Sequence, residues 1–234
     1  MFVSYILIGI GFLTFIWYVV EKIKGESIKS VIVKGLVSTL FVSVGIYNVL
    51  ANQISDMPLR FLILIGLIFG LSGDIFLGLK HVYKDKDELF TYLGFITFAI
   101  GHMLYIAAMT SAMPGTFSPL YIIIPILVAC FLGFLVIVLE KPLKLDYKNM
   151  KIALFAYALC LFSLPTVALS FAIFYQFNNR FLVLIAIGGV LFAISDLILS
   201  QTYFGEGHDK PIDIIMNHLT YWAAQFLIAM ALFF

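Results

Sequence analysis

Eight long apolar stretches, separated by short polar connections, constrain this chain more than any other feature of its sequence. An α-helix needs about 20 mainly apolar residues to cross about 30 Å of hydrocarbon, and eight stretches meet that requirement. They are Phe2–Val20, Ser30–Leu50, Leu59–Leu79, Glu88–Met109, Pro119–Leu139, Lys151–Phe174, Phe181–Phe204 and Ile212–Phe233. The connections are too short to fold as separate domains. The sequence therefore predicts an all-α, polytopic membrane protein in which residues 1–234 form a single domain of eight transmembrane helices.

Composition and charge narrow the classes of partner. The chain is 63% hydrophobic and 12% charged, and its net charge is +1. Its basic residues form no stripe interleaved with aromatic residues, so we expect no nucleic-acid partner. No pattern indicates a metal, another cofactor or an obligate protein partner. We expect the protein to be surrounded by membrane lipids.

The basic residues predict how the helices are oriented. Of the 14 Lys and Arg residues, eleven follow segments one, three, five and seven, whereas Arg60 and Arg180 lie on the other side and Lys34 lies inside segment two. The eleven are Lys22, Lys24, Lys29, Lys80, Lys84, Lys86, Lys141, Lys144, Lys148, Lys151 and Lys210. Because cytoplasmic loops carry the excess of positive charge, we predict that the odd-numbered loops are cytoplasmic and that both termini face outward.

Two aspartates interrupt segments that are otherwise apolar: Asp74 in segment three and Asp196 in segment seven. A carboxylate at mid-membrane costs about 2.5–3.5 kcal/mol on insertion scales, so such a residue usually faces the bundle interior and has a function there. The two segments run in the same direction, and each aspartate lies about one to two turns from the cytoplasmic end. The two carboxyl groups are therefore predicted to share one depth and one site. The alternative is a structural role, in which they pair with Lys34 or with backbone groups.

Small and polar residues at helical spacing predict which helix faces line that site. Asp74 follows Gly66 and Gly70 at intervals of four residues, a pattern that lets another helix approach closely. Similar stripes are Gly189, Ala193, Asp196 and Ser200; Lys34, Ser38, Gly45 and Asn48; Gly94, Gly101, His102 and Tyr105; and Asn217, Tyr221 and Gln225. Five helices are thus expected to line a cavity.

Some of these polar residues also fit simpler roles. His102 and Tyr105 could join helices by hydrogen bonds, and the long side chain of Lys34 could extend to the membrane surface. His81 and His208 are expected in solvated loops.

The order of these motifs suggests an internal repeat. Each aspartate-bearing segment is followed by a segment with His-x-x-Tyr, formed by His102 and Tyr105 or by His218 and Tyr221. Two four-helix halves in parallel orientation would have this order. The two histidines differ in depth, which argues against the repeat.

The motifs resemble the YhhN-type lysoplasmalogenases, integral membrane hydrolases of the vinyl ether bond of lysoplasmalogens. The resemblance runs from segment two to the C-terminus and is carried by five motifs: Lys34-Gly35-Leu36, GLIFGLSGDIFLGL (66–79), GFITFAIGHMLYI (94–106), GGVLFAISDLILS (188–200) and TYWAAQFLIA (220–229). The chain departs from the family at Gly35, where proline is frequent, and around Tyr157. The resemblance implies a lysophospholipid substrate and catalytic roles for Asp74 and Asp196. The residues that would bind or orient the substrate are Lys34, His102, Tyr105, Ser195, Asn217, Tyr221 and Gln225.

The chemistry of a vinyl ether fits these residues. An acid protonates the β-carbon, water captures the oxocarbenium ion, and the hemiacetal collapses to an aldehyde and an alcohol. Two buried carboxyl groups that repel each other hold one proton between them. One can then act as the acid while the other stabilises the cation and activates water, as in glycosidases. The sequence does not assign the two roles, and Lys34 is expected to bind the substrate phosphate.

Two other function classes remain open at this stage. An intramembrane aspartyl protease also uses two aspartates, but its Gly-x-Gly-Asp signature would need glycine at Leu71. A proton-coupled transporter of a small solute would also place carboxylates in the membrane. Its site is usually built from broken helices, and apart from Pro165 the segments show little sign of interruption.

Overall fold

The computed structural model describes residues 1–51, 57–205 and 210–234, and within these ranges eight helices are long and apolar enough to cross a membrane. They are α1 (Phe2–Lys24), α2 (Ile28–Ala51), α3 (Met57–Val82), α4 (Asp87–Ser111), α5 (Leu120–Val138), α6 (Lys151–Phe174), α7 (Arg180–Phe204) and α8 (Pro211–Ala231). The described residues contain no strand. The predicted all-α membrane fold is therefore confirmed. His208 lies outside the described residues.

Most helices extend a few residues beyond the apolar runs because charged residues continue their first and last turns. Lys22 and Lys24 lie in the last turn of α1, and Asp87 and Glu88 lie in the first turn of α4. Cations near the C-terminus of a helix and anions near its N-terminus interact favourably with the helix dipole. The apolar runs thus predict the membrane-embedded part, and the charges at their ends extend it.

Six helices form a closed ring, and α1 and α5 pack on its outside. Helices α2, α3, α4, α6, α7 and α8 contact one another in that order, α8 closes the ring against α2, and α1 packs against α2 and α8. Helix α5 packs against α6, and Leu127, Phe131 and Phe134 on its other side are exposed. A helix that is apolar all round suits a membrane span in contact with lipid.

The helix pairs of the first half recur in the second half. The pairs α1–α2, α2–α3 and α3–α4 correspond to α5–α6, α6–α7 and α7–α8, and the pair α2–α8 corresponds to α6–α4. A parallel repeat of four helices produces this set of pairs. Helices α3 and α7, which carry the two aspartates, then occupy equivalent positions.

The glycine stripe of α3 faces neighbouring helices, as its spacing predicts. A β-carbon on Gly66 would clash with Cε1 of Tyr105 and would lie 3.1 Å from the carbonyl oxygen of Gly101, both on α4. A β-carbon on Gly70 would lie 2.6 Å from Nε2 of Gln225 on α8. Glycine at these two positions therefore lets polar side chains of α4 and α8 lie directly against the α3 backbone, next to Asp74.

Candidate active site

A polar cavity of about 380 Å³ lies where α1, α3 and α7 end and where α2 and α8 begin. It reaches the exposed residues Glu26 and Lys84 at the surface of the bundle. Six of the nine residues proposed from the sequence line it: Lys34, Asp74, Ser195, Asp196, Asn217 and Tyr221. The structure thus brings the two aspartates to one cavity. We call it the polar cavity.

Asp74 is almost completely buried and is held by three side chains. Its Oδ1 lies 3.0 Å from the ammonium nitrogen of Lys34. Its Oδ2 accepts hydrogen bonds from the hydroxyl of Ser38 at 2.5 Å and from the hydroxyl of Tyr221 at 2.7 Å. A cation and two hydroxyl donors compensate a carboxylate for the loss of water. The sequence prediction that Asp74 faces the bundle interior is confirmed.

The network continues from Asp74 away from the polar cavity. Nε2 of Gln225 donates to the hydroxyl of Tyr221 at 3.2 Å, and the hydroxyl of Tyr105 donates to Oε1 of Gln225 at 3.4 Å. Tyr105 and Gln225 are buried and do not line the polar cavity. Their contacts place them behind Tyr221, where they fix the orientation of its hydroxyl.

Asp196 has a different environment from Asp74. It is partly exposed, and its Oδ2 accepts a short hydrogen bond from the hydroxyl of Tyr157 on α6. The Tyr157 ring is stacked on Phe95 with centroids 5.0 Å apart. Among the side-chain contacts of the described residues, Oδ1 of Asp196 has no donor, and the two aspartates share no hydrogen-bonding partner. The cavity therefore holds one fully paired carboxyl group and one with a free oxygen.

Ser195 and Asn217 connect the two helices on which Asp196 and Tyr221 lie. Nδ2 of Asn217 donates to the backbone oxygen of Ser195 at 2.7 Å and to its hydroxyl at 3.1 Å. This contact joins α8 to α7 in the cavity wall, directly beside Asp196. Both side chains line the cavity, but their hydrogen bonds to each other give them a positioning role.

His102 lies behind the wall of the polar cavity rather than in it. Its ring is 1% exposed and is enclosed by the rings of Phe192, Tyr105 and Tyr157, with centroids 4.6, 6.3 and 6.4 Å away. Neither ring nitrogen has a hydrogen-bond partner among the described residues. In this position His102 does not reach water or substrate in the polar cavity.

Several cavity residues were not assigned from the sequence. The Tyr18 hydroxyl of α1 lies 2.9 Å from Nε2 of His218, and both residues line the cavity. His81 also lines it, because it belongs to the last turn of α3 and not to a loop as the sequence suggested. Its Nδ1 lies 3.7 Å from Oε1 of Glu26. The mouth of the cavity thus carries both basic and acidic side chains, among them Lys84 and Glu26.

Carboxyl, hydroxyl and ammonium groups make up the polar part of the site. Within residues 1–51, 57–205 and 210–234, no three His, Cys, Asp or Glu side chains are grouped closely enough to hold an ion. Asp74 is already paired with an ammonium group. The chemistry that the site supports is proton transfer by carboxyl and hydroxyl groups.

Comparison with known proteins gives one match. The model of the YhhN family matches residues 29–232. No curated protein and no solved structure matches the chain. The matched region extends from the first turn of α2 through α8, so it contains both aspartates, and it agrees with the extent of the resemblance seen in the sequence.

Proposed function

Because the chain belongs to the YhhN family, which is the lysoplasmalogenase family, we propose that it is a membrane hydrolase that cleaves the vinyl ether bond of a lysoplasmalogen. The products would be a fatty aldehyde and a glycerophospho-head-group alcohol. One observation carries the proposal: two aspartates from equivalent helices, α3 and α7, line the same polar cavity. Placing a carboxyl group inside the membrane costs free energy, so such groups usually have a function. Two of them in one cavity are consistent with a single shared function.

The different surroundings of the aspartates support separate roles. The ammonium of Lys34 and the hydroxyls of Ser38 and Tyr221 all contact Asp74, and each of them stabilises the ionised carboxylate. We assign Asp74 as the group that remains ionised. It would stabilise the positive charge of the oxocarbenium ion and accept a proton from the attacking water, as the base of a carboxylate pair does.

Asp196 is the better candidate for the acid. It has one hydroxyl donor, Tyr157, and its carboxyl group borders the cavity. The protonated carboxyl group would transfer its proton to the β-carbon of the vinyl ether, and the electrons of the double bond form the new C–H bond. The α-carbon and the ether oxygen then share the positive charge. Tyr157 holds the resulting carboxylate in place by its hydrogen bond.

The remaining steps return the protons to their starting positions. Water adds to the α-carbon and gives up one proton to Asp74, which yields a hemiacetal. The hemiacetal then collapses: its hydroxyl proton is lost to Asp196, the C–O bond to glycerol breaks, and the glycerol oxygen takes the proton held by Asp74. Asp196 is thereby protonated and Asp74 ionised again, as each was before the reaction.

The continuity of the helices supports a hydrolase over a carrier. Helices α3 and α7 run without interruption through Asp74 and Asp196, and α6 continues through Pro165. The midplane site of a secondary transporter is usually built from discontinuous helices. The protease alternative gains no support, because Leu71 stands where its signature requires glycine.

Aldehyde release by the purified full-length protein tests this proposal. The substrates are a vinyl ether lysophospholipid and the matched lipid with a saturated ether, which cannot be protonated at carbon. We expect aldehyde from the first lipid and none from the second. Absence of aldehyde from both, together with proton movement that depends on a solute in proteoliposomes, would replace the hydrolase by a transporter.

A further inference from the structure

A second, narrow cavity of about 50 Å³ lies on the other side of Asp196. It is formed by α4, α6 and α7 with single residues from α3 and α5, and most of its lining is apolar. The residues that define it best are Leu154, Leu161 and Phe162 of α6 and Leu197, Ser200 and Phe204 of α7. We call it the side groove.

The side groove and the polar cavity share part of one wall. The shared residues are Leu77, Phe98, Asp196, Leu199 and Tyr203. Among them Asp196 is the one carboxylic acid within the described part of the chain. The basic residues Lys22, Lys34, His81 and Lys84 all line the polar cavity and not the side groove. The surroundings therefore change from polar to apolar at Asp196.

The proposed substrate changes from polar to apolar at its reactive bond. In a lysoplasmalogen the vinyl ether joins a charged glycerophosphate head group to a hydrocarbon chain. Building on the proposed function, we infer that the side groove binds the first methylene groups of the alkenyl chain and that the polar cavity binds the head group. The vinyl ether then lies at Asp196, where the two cavities meet.

The side groove also offers the chain a route to the bilayer. Leu197 in its wall is exposed on the outer surface of α7, and Ser200 and Phe204 are partly exposed. Along α6 the lining extends from Leu154 to Phe162, about 12 Å at 1.5 Å per residue. A long hydrocarbon chain exceeds that length, so its remainder would extend into the lipid.

Photolabelling tests the binding site without requiring turnover. The probe is a saturated alkyl ether lysophospholipid with a diazirine near the ether end of its chain, added to the purified full-length protein. We expect the label in the peptides of α6 and α7 that contain Leu154–Phe162 and Leu197–Phe204. Ser200→Phe should reduce this labelling several-fold, because the new ring fills the groove.

Val190→Phe is the matched control. Val190 is exposed on α7 and does not line the side groove, so the same added ring should leave labelling at the wild-type level. Val136→Phe, on the peripheral helix α5, narrows the groove and replaces Ser200→Phe if that variant does not fold. Ser200→Phe and Val136→Phe should both raise KM for a long-chain vinyl ether lipid more than for a short-chain one.

The outcomes separate this inference from the proposed function. Labelling that stays on the outer surfaces of α1 and α5, or that neither Ser200→Phe nor Val136→Phe reduces, overturns the side groove as the chain-binding site. Labelling in the groove by a protein that releases no aldehyde would support the groove as a single-chain lipid site and would contradict the hydrolase.

Discussion

The ammonium nitrogen of Lys34 lies 3.0 Å from Oδ1 of Asp74, and the side chains of the two residues are 10% and 2% exposed. The sequence suggested that Lys34 binds the substrate phosphate. The structure shows Lys34 in an ion pair with Asp74 inside the bundle. Exposed Lys84 at the mouth of the cavity is better placed to meet a phosphate from the membrane surface.

Lys34→Met should lower kcat more than it raises KM. The substitution keeps much of the side-chain length but removes the ammonium group that contacts the Asp74 carboxylate. A hydrogen bond to a charged group contributes about 1.5–3 kcal/mol, so we expect kcat to fall about tenfold or more while KM changes little. Lys86→Met, at an exposed lysine outside the polar cavity, is the control and should leave both constants unchanged. A raised KM with an unchanged kcat would instead assign Lys34 to phosphate binding.

Tyr157→Phe should lower kcat and leave KM nearly unchanged. The substitution removes the hydroxyl that donates to Asp196 but keeps the ring that stacks on Phe95. A hydrogen bond to a charged group contributes about 1.5–3 kcal/mol, so a fall of about tenfold or more in kcat is expected. Tyr5→Phe, on the exposed surface of α1, should behave as wild type. Wild-type kcat in Tyr157→Phe would show that this contact does not position the acid.

Gly70→Ala should impair activity from a position outside the polar cavity. The new methyl group would lie 2.6 Å from Nε2 of Gln225, so the amide must move and its hydrogen bond to Tyr221 is lost. We expect lower kcat with little change in melting temperature, because the atom that must move is the end of a flexible side chain. Gly9→Ala is the control, since a β-carbon there meets no described atom within 4 Å. Equal activity in the two variants would contradict the role given to this contact.

Membrane orientation follows from the basic residues and is testable in intact cells. Cysteines replace Lys84 and Lys144 one at a time, in a background from which Cys130 and Cys160 have been removed. A membrane-impermeant maleimide should label both positions after the inner face is exposed and neither position in intact cells, because positively charged loops stay in the cytoplasm. Labelling of position 144 from outside intact cells would reverse the orientation and place the mouth of the polar cavity on the outer face.

The fold was predictable because a membrane span is specified by length and apolarity along the sequence itself. The faces of α3 and α8 were predictable for a similar reason: Gly70 and Asp74, or Tyr221 and Gln225, recur at intervals of four residues, and one helix turn places them on one side. Such a face can be inferred from the sequence of one helix alone, without knowing which helix packs against it.

Other parts of the site depend on contacts that spacing does not encode. The hydroxyls of Tyr157 and Tyr18 reach Asp196 and His218 only because α6 packs against α7 and α1 packs against α8. His102 is a case in which the direction was predicted correctly but the surroundings were not. Its position in a polar stripe places it in the bundle interior, but the rings of Phe192 and Tyr157 pack against it instead of a water-filled cavity. Spacing predicts the direction in which a side chain points and not what it meets there.

Aldehyde release by Asp74→Asn and Asp196→Asn tests the central claim most directly, namely that the two aspartates perform the chemistry. Each amide has nearly the volume of the carboxyl group but cannot exchange a proton, so each variant should remain folded and lose activity by about 10²–10⁴-fold. The double variant should lose little more, because residues that act as a unit are non-additive. Asp213→Asn, which lines the same cavity, is the control and should retain activity. If either single variant keeps more than about a tenth of the wild-type rate, well above the range expected for a lost general acid or base, the aspartate pair is structural and the proposed mechanism is wrong.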